Sequence, residues 1–460
     1  MISAQTYSDR RKKLVENLSD GIILLFGNSL LGMNYAKNYY PFRQDSTFLY
    51  YGGIDQPDLV ITIDAQSGET TLYGNDPTID DIVWTGSATT MADLAKIGAI
   101  DKAESMSDLQ KKLSQWKNNK TIHYLPPYTG NHKIQLFQWL DIPFDQQMER
   151  ISIPLIHAIA DQRSVKSAEE IAQIEEALNK ATVPMHIQAM KLALEGNNEN
   201  QVFAAMQKIV QENGFSLSFP PICSVRGEIL HNNIYHNEFK KDQLLIVDAG
   251  AANGMHYASD VTRTTPIGGK FNAQQKEIYE IVLNAEVTCI EKMKAGVVYR
   301  DIHFLAAKLI VEGLKSVGLM KGDTDEAVAN GAHTLFFPHG IGHLLGLDVH
   351  DMENLGENNI GYTSEIVRSK DFGTAFLRYA KQVQENYVMT IEPGIYFIPE
   401  LIRQWKAANK NEQFINYSKL ENYNNFGGIR VEDTVLVNAT TSTVIGNPIP
   451  KTVSDIESLF

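Results

Sequence analysis

An apolar run, Leu244 to Val247, ends on a carboxylate, Asp248, in the stretch LLIVDAG. A buried strand that delivers an acid to its end is unfavourable unless that acid is paired, hydrogen-bonded or bound to a cation. Past the turn-forming Ala-Asn-Gly, Asp260 follows in HYASDVTRT. The two segments read as a hairpin that carries both carboxylates to one region. Either acid alone would be read as a turn cap.

Two more acids join this pair. Glu392, in MTIEPGIYF, is held extended because the residue before proline avoids the helical region. In GGIRVEDTV, strand alternation sets Arg430, Glu432 and Thr434 on one face and Val431, Asp433 and Val435 on the other. By itself Glu432 would be an ordinary partner for a nearby arginine. The stretch FFPHGIGHLLGLDVHD then adds His339, His343 and His350 out of only 12 histidines in the chain. His339 and His343 are four apart, as in helical zinc motifs, but two intervening glycines and Pro338 oppose a regular helix, and HExxH is absent. One histidine with four carboxylates makes an oxygen-rich set suited to manganese first, then cobalt or zinc. Four acids at one locus would raise one another's pKa values. Two divalent ions bridged by water or hydroxide would keep all four ionised and form a hydrolytic centre.

The rest of the chain divides in two. At 460 residues it exceeds one ordinary core. Up to about residue 155 the strand-like runs GIILLFG, DLVITID, TTLYG and TIHYLPP alternate with the helical MADLAKIGA and MSDLQKKLSQW, which suggests a small α/β domain over 1–158. A capping box at Ser167 to Glu170 opens the next domain, 168–460. Helices expected at Val202–Glu212, Ala273–Lys294 and Tyr299–Val317, beside mostly antiparallel strands, make it α+β.

Composition narrows the function. A formal charge of -14 opposes a nucleic-acid partner, and the short run Arg10 to Lys13 reads as a solvated helix face. Cys223 and Cys289 lie far apart without CxxC spacing and suit two buried thiols in a reducing compartment. The N-terminus is polar, and no run approaches the ~18 apolar residues of a membrane span. A soluble, cytoplasmic protein is expected.

The ordered set VDAG, SDVTRT, HGIGH, IEPGIY and RVED resembles the pita-bread metallopeptidases, the family of methionine aminopeptidase, Xaa-Pro aminopeptidase and prolidase. PFRQDSTFLYYGGIDQPD and IVWTG, around Trp84, resemble the N-terminal domain of its proline-specific branch. The resemblance implies that Asp248 binds one metal in bidentate fashion, Asp260 and Glu432 bridge two metals, and His343 and Glu392 hold the second. It makes Glu392 the acid/base, and places His350 and His231 at the substrate, with His236 competing for the latter role. Asn232 stands where relatives have an aromatic residue. His339 would shape the pocket, Arg378 would take a peptide carboxylate, and Arg430 would pair with the bridging acids. For Arg378 the alternative is an exposed helical charge. Tyr396 and Trp84 are further substrate candidates, the tryptophan through a neighbouring subunit of a dimer or tetramer. The implied activity is release of the first residue from peptides with proline second. Prolidase, acting on Xaa-Pro dipeptides, and a catalytically inactive binding protein are the alternatives.

Overall fold

The computed structural model describes residues 2–86 and 89–460. The chain divides into two compact units, Met1–Arg163 with Met352–Ile360, and Ser164–Asp351 with Gly361–Phe460.

The first unit is built on five strands, β1 (Ile22–Phe26), β2 (Val60–Asp64), β3 (Thr70–Gly74), β4 (Lys102–Ser105) and β5 (Ile122–His123), in the order β4-β3-β2-β1-β5. Neighbours β1, β2 and β3 are antiparallel, whereas β1 with β5 and β3 with β4 are parallel. Leu24, Phe26, Val60 and Tyr73 pack with Leu109 and Leu113 of the helix Met106–Asn119 and with Leu136 and Leu140 of the helix Gly130–Leu140. Apolar residues four apart on each helix supply that face.

The basic run departs from expectation. Arg10 and Arg11, in the helix Ala4–Glu16, are buried rather than solvated. Arg10 donates to the carbonyl of Tyr50, and Arg11 to those of Tyr51, Gly98 and Ala99. These carbonyls end the helices Ser46–Gly52 and Met91–Ile97, where unsatisfied oxygens and the negative end of the helix dipole favour a cation.

The second unit holds the strands β6 (Ser216–Leu217), β7 (Ile222–Ser224), β8 (Leu244–Ala249), β9 (Ala251–Ala252), β10 (Val261–Pro266), β11 (Val388–Ile391), β12 (Gly394–Tyr396), β13 (Gly428–Arg430), β14 (Asp433–Val437) and β15 (Ser442–Val444). They form the sheets β10-β8-β7, β11-β14-β15, β12-β13 and β6-β9 with every named pair antiparallel. The capping box at Ser167 opens the helix Ala168–Ala177, which passes through a π turn, Leu178–Thr182, into Val183–Lys191. The helix expected from Val202 starts at Glu199, because Asn198 and Gln201 form a second capping box. The other two run Ala273–Lys292 and Tyr299–Ser316. Pro399–Ala407, in the segment between Glu392 and Glu432, is a helix with proline in its first turn.

Register brings the acids together. β8 and β10 pair Asp248 with Thr262. Asp260 lies two residues before Thr262, so strand alternation sets it on the same face. Thr262 in turn bridges to Glu432, and β11 pairs Ile391 with Asp433, which places Glu392 beside the same seam.

Candidate metal centre

A cavity of about 520 Å³ in the second unit is lined by Asp248, Asp260, His343, Glu392 and Glu432 together with His231, His339, His350, Arg378 and Arg430. The HGIGH segment is irregular, as its glycines foretell, and runs beside β11. Thr390 donates its N–H to the carbonyl of His343, Glu392 does so to Ile341, and the N–H of His343 is taken by the Thr390 hydroxyl. A Cβ on Gly342 would collide with the Thr390 carbonyl and the Tyr299 hydroxyl, so only glycine permits this approach.

The donor atoms are presented without partners of their own. His343 Nδ1 lies 3.0 Å from the Leu344 carbonyl and donates to it, which leaves the Nε2 lone pair facing Asp260 Oδ2 at 3.3 Å and Glu392 Oε1 at 3.8 Å. Two acceptors face to face call for a positive charge between them. Asp248 Oδ1, Asp260 Oδ1 and Glu432 Oε1 are buried and have no hydrogen-bond partner. Donor atoms of Asp260, His343 and Glu432 all lie within 4.8 Å of one another. Such a set fits a divalent cation, whose charge would satisfy each orphaned oxygen.

Two of the other carboxylate oxygens are tied back. Arg430 Nη2 donates to Asp248 Oδ2 at 2.6 Å, and the Thr262 hydroxyl donates to Glu432 Oε2 at 2.7 Å while accepting from Arg430 Nε. On the opposite strand face, Arg263 donates to the Glu432 carbonyl and to Asp433. Burial, and then the neighbouring acids, push Asp260 and Glu432 well above the ordinary carboxylate range. Burial also raises Glu392, although His343 and Arg430 oppose it, and lowers the imidazole of His343.

His339, Tyr396 and Arg430 form a relay whose protons can be assigned. A guanidinium only donates, so the Tyr396 hydroxyl accepts from Arg430 Nη1 at 2.7 Å and donates to His339 Nε2 at 2.9 Å. His339 Nδ1 then donates to the Gly340 carbonyl at 2.7 Å. The ring is therefore neutral, and burial holds it down at about 3. Tyr396 itself is buried behind the cavity wall.

The other substrate candidates are placed as follows. His350 meets the His343 ring edge to face at 4.4 Å. His231 lines the cavity, whereas His236 is outside its lining residues. Arg378 lines it too, from a segment beyond the short 3₁₀ turn Thr374–Phe376, so the exposed-helix alternative is not met. Trp84 is 82% exposed on the first unit, in the helix Ile79–Thr85, and is not a lining residue of this cavity. Thr262 escaped the sequence reading, although its place two residues after Asp260 would have revealed it by alternation. The apolar wall of Phe219, Pro220, Leu230, Val349 and Phe376 comes from separate loops and left no periodic signal.

Residues 172–439 match metallopeptidase family M24, and residues 7–124 match the aminopeptidase P N-terminal domain. The chain belongs to metallopeptidase family M24. Its M24 membership implies divalent metal ions, in agreement with the Asp260, His343 and Glu432 group. A probable Xaa-Pro aminopeptidase of Leptosphaeria maculans is 33% identical over 426 residues, 91% of this chain and 72% of that one. One from Pyrenophora teres f. teres is 32% identical over 425 residues, 91% of this chain and 87% of that one. Among solved structures, zinc-substituted aminopeptidase P of Escherichia coli in complex with product superimposes with a TM-score of 0.81 at 26% identity, covering 100% of this chain and 98% of that chain. Aminopeptidase PepP of Pseudomonas aeruginosa gives the same TM-score, identity and coverage. Among the described residues no helix is long and apolar enough to cross a membrane.

Proposed function

We propose that this M24 member is a metal-dependent Xaa-Pro aminopeptidase, which releases the N-terminal residue of peptides with proline in second position. The observation that carries this reading is likeness along the whole length to aminopeptidase P, including its N-terminal domain. In this reading, 1–158 and 168–460 are the domain limits.

Asp248, Asp260, His343, Glu392 and Glu432 would hold two divalent ions, which neutralise four carboxylates where one could not. Asp260 and Glu432 would be shared by both ions, Asp248 would serve one, and His343 and Glu392 would serve the other. Manganese is the ion that best suits the oxygen-rich set. Divalent ions bound there supply an acidified water and polarise the scissile carbonyl.

The chain's own groups do the rest. Glu392 would take the proton of the attacking water and pass it to the leaving amine. His350 and His231 stand on the cavity wall, where an imidazole N–H can stabilise the tetrahedral oxyanion or fix the peptide backbone. Arg378 offers a guanidinium fork to a peptide carbonyl or carboxylate. Arg430 fixes Asp248, and its tyrosine relay keeps His339 neutral, so His339 shapes the pocket without adding charge. Trp84 would act from a partner's N-terminal domain in a homo-oligomer. Two buried free thiols, Cys223 and Cys289, suit a cytoplasmic setting.

The test is a matched pair of substrates for the manganese-loaded protein, an Xaa-Pro dipeptide and the same sequence lengthened by two residues. Release of the first residue from the longer peptide, lost when proline is replaced by alanine, is the expected result. Cleavage of the dipeptide alone would make the protein a prolidase.

Protonation links to metal loading. Because Asp260 and Glu432 hold protons above the usual carboxylate range, binding a cation must expel them, and affinity rises with pH through that raised window. Calorimetric titration with manganese, in buffers of different ionisation enthalpy and at a pH above the ordinary carboxylate range, should show proton release. An identical heat in every buffer would contradict the crowding of the acids.

A further inference from the structure

His231 is carried by a stretch, 225–237, with no regular helix or strand, yet the segment has firm anchors. Glu199, in the first turn of the helix Glu199–Glu212, is 0% exposed and accepts bonds from both feet of the loop. Its Oε1 takes the Ser224 hydroxyl at 2.8 Å and the Val225 N–H at 2.9 Å, and its Oε2 takes the Asn237 N–H at 3.0 Å. The Asn237 amide reaches both oxygens. A buried carboxylate is compensated when several donors converge on it, and this one draws the two ends of the loop together.

The anchor continues toward the cavity. Ser224 spends its one hydroxyl proton on Glu199, so its oxygen is left to accept, and it does so from the Arg226 N–H at 3.0 Å and from Asn232 Nδ2 at 2.9 Å. The carbonyl of the same Asn232 side chain accepts from the Ile234 N–H at 3.3 Å. Asn232 immediately follows His231 in the chain. The amide thereby ties the residue next to His231 to a hydroxyl that the buried Glu199 holds fixed.

We propose that the Glu199–Ser224–Asn232 hydrogen-bond chain is a positioning device for His231, setting its imidazole on the cavity wall. The proposal rests on the reading of His231 as a substrate-handling group. None of the three residues is placed among the metal donors or lines the cavity, so all three act through the loop.

The test uses the full-length, metal-loaded chain and the variants Asn232→Ala, Ser224→Ala, His231→Ala and His231→Ala/Asn232→Ala. Asn232→Ala and Ser224→Ala should each lower kcat/KM on an Xaa-Pro tetrapeptide by roughly 10-fold, the scale of losing an outer-shell support. Metal content should stay at the wild-type value in both, and the thermal midpoint should stay there for Asn232→Ala, whereas Ser224→Ala, which takes a donor from the buried Glu199, should also lower the midpoint. In the double variant the Asn232 change should add nothing to the loss from His231→Ala. Wild-type kinetics for both Asn232→Ala and Ser224→Ala, or losses that multiply in full with His231→Ala, would overturn the proposal. So would a loss matched by a loss of metal. The ring ¹H–¹⁵N signal of His231, assigned with His231→Ala, gives a second readout. Asn232→Ala should shift or broaden it, and an unchanged signal would refute positioning. That readout stands even if the wild-type chain cleaves no proline peptide, which would refute the aminopeptidase reading instead.

Discussion

Asp260→Ala is expected to lose peptide hydrolysis and bound metal together. Asp260 presents one buried oxygen without a partner and another 3.3 Å from the bare nitrogen of His343, so its carboxylate holds the middle of the donor group. In the proposed centre, removing it takes away a ligand shared by both ions. The loss in kcat/KM should exceed the roughly 100-fold reached when only an outer-shell partner of a metal site is removed. Metal analysis beside the kinetics checks this, and Glu432→Ala should behave alike. Retained metal with retained turnover would refute the bridging role. By contrast, His350→Ala should keep metal content and lower kcat, because its ring packs against His343 without being assigned a ligand role.

The second large effect concerns stability. Lys166 and Asp351 form an ion pair at 2.9 Å in which each side chain is 1% exposed. Asp351→Ala leaves the Lys166 ammonium buried and uncompensated, which costs about 3–5 kcal/mol for pairs of this kind. The unfolding midpoint of the second unit should fall accordingly. Lys166→Met/Asp351→Leu should recover much of that loss, since apolar replacements of a whole buried pair are often close to neutral. Asp351 follows His350 directly, so the single variant should also be impaired in turnover. An unchanged midpoint in denaturant would show that the pair is solvated in solution.

The acid-bearing face was largely readable because strand chemistry has a short period. Asp260 and Thr262, and Arg430, Glu432 and Thr434, alternate in the chain, and the register of Asp248 with Thr262 then sets them on one surface. Pro393 held Glu392 extended, and the glycines of HGIGH forbade a helix, so local rules sufficed there too. What escaped was non-local. Arg10 and Arg11 look like any surface run until the carbonyls of Tyr50, Tyr51, Gly98 and Ala99 arrive from elsewhere. Arg378 lies in an amphipathic-looking stretch, AFLRYAKQV, that tertiary packing keeps out of a regular helix. The π turn at Leu178–Thr182 has no signature in side-chain pattern, and the Glu199–Ser224–Asn232 chain joins residues whose partners are fixed only by the folded loop.

Asp248, Asp260, His343, Glu392 and Glu432 are proposed to form one dinuclear centre. Anomalous diffraction from manganese-soaked crystals, collected at the metal edge, tests it most directly. Two peaks within the cavity, each in bonding distance of its assigned donors, with Asp260 and Glu432 shared between them, is the predicted result. A single peak, or peaks away from those five side chains, would contradict it.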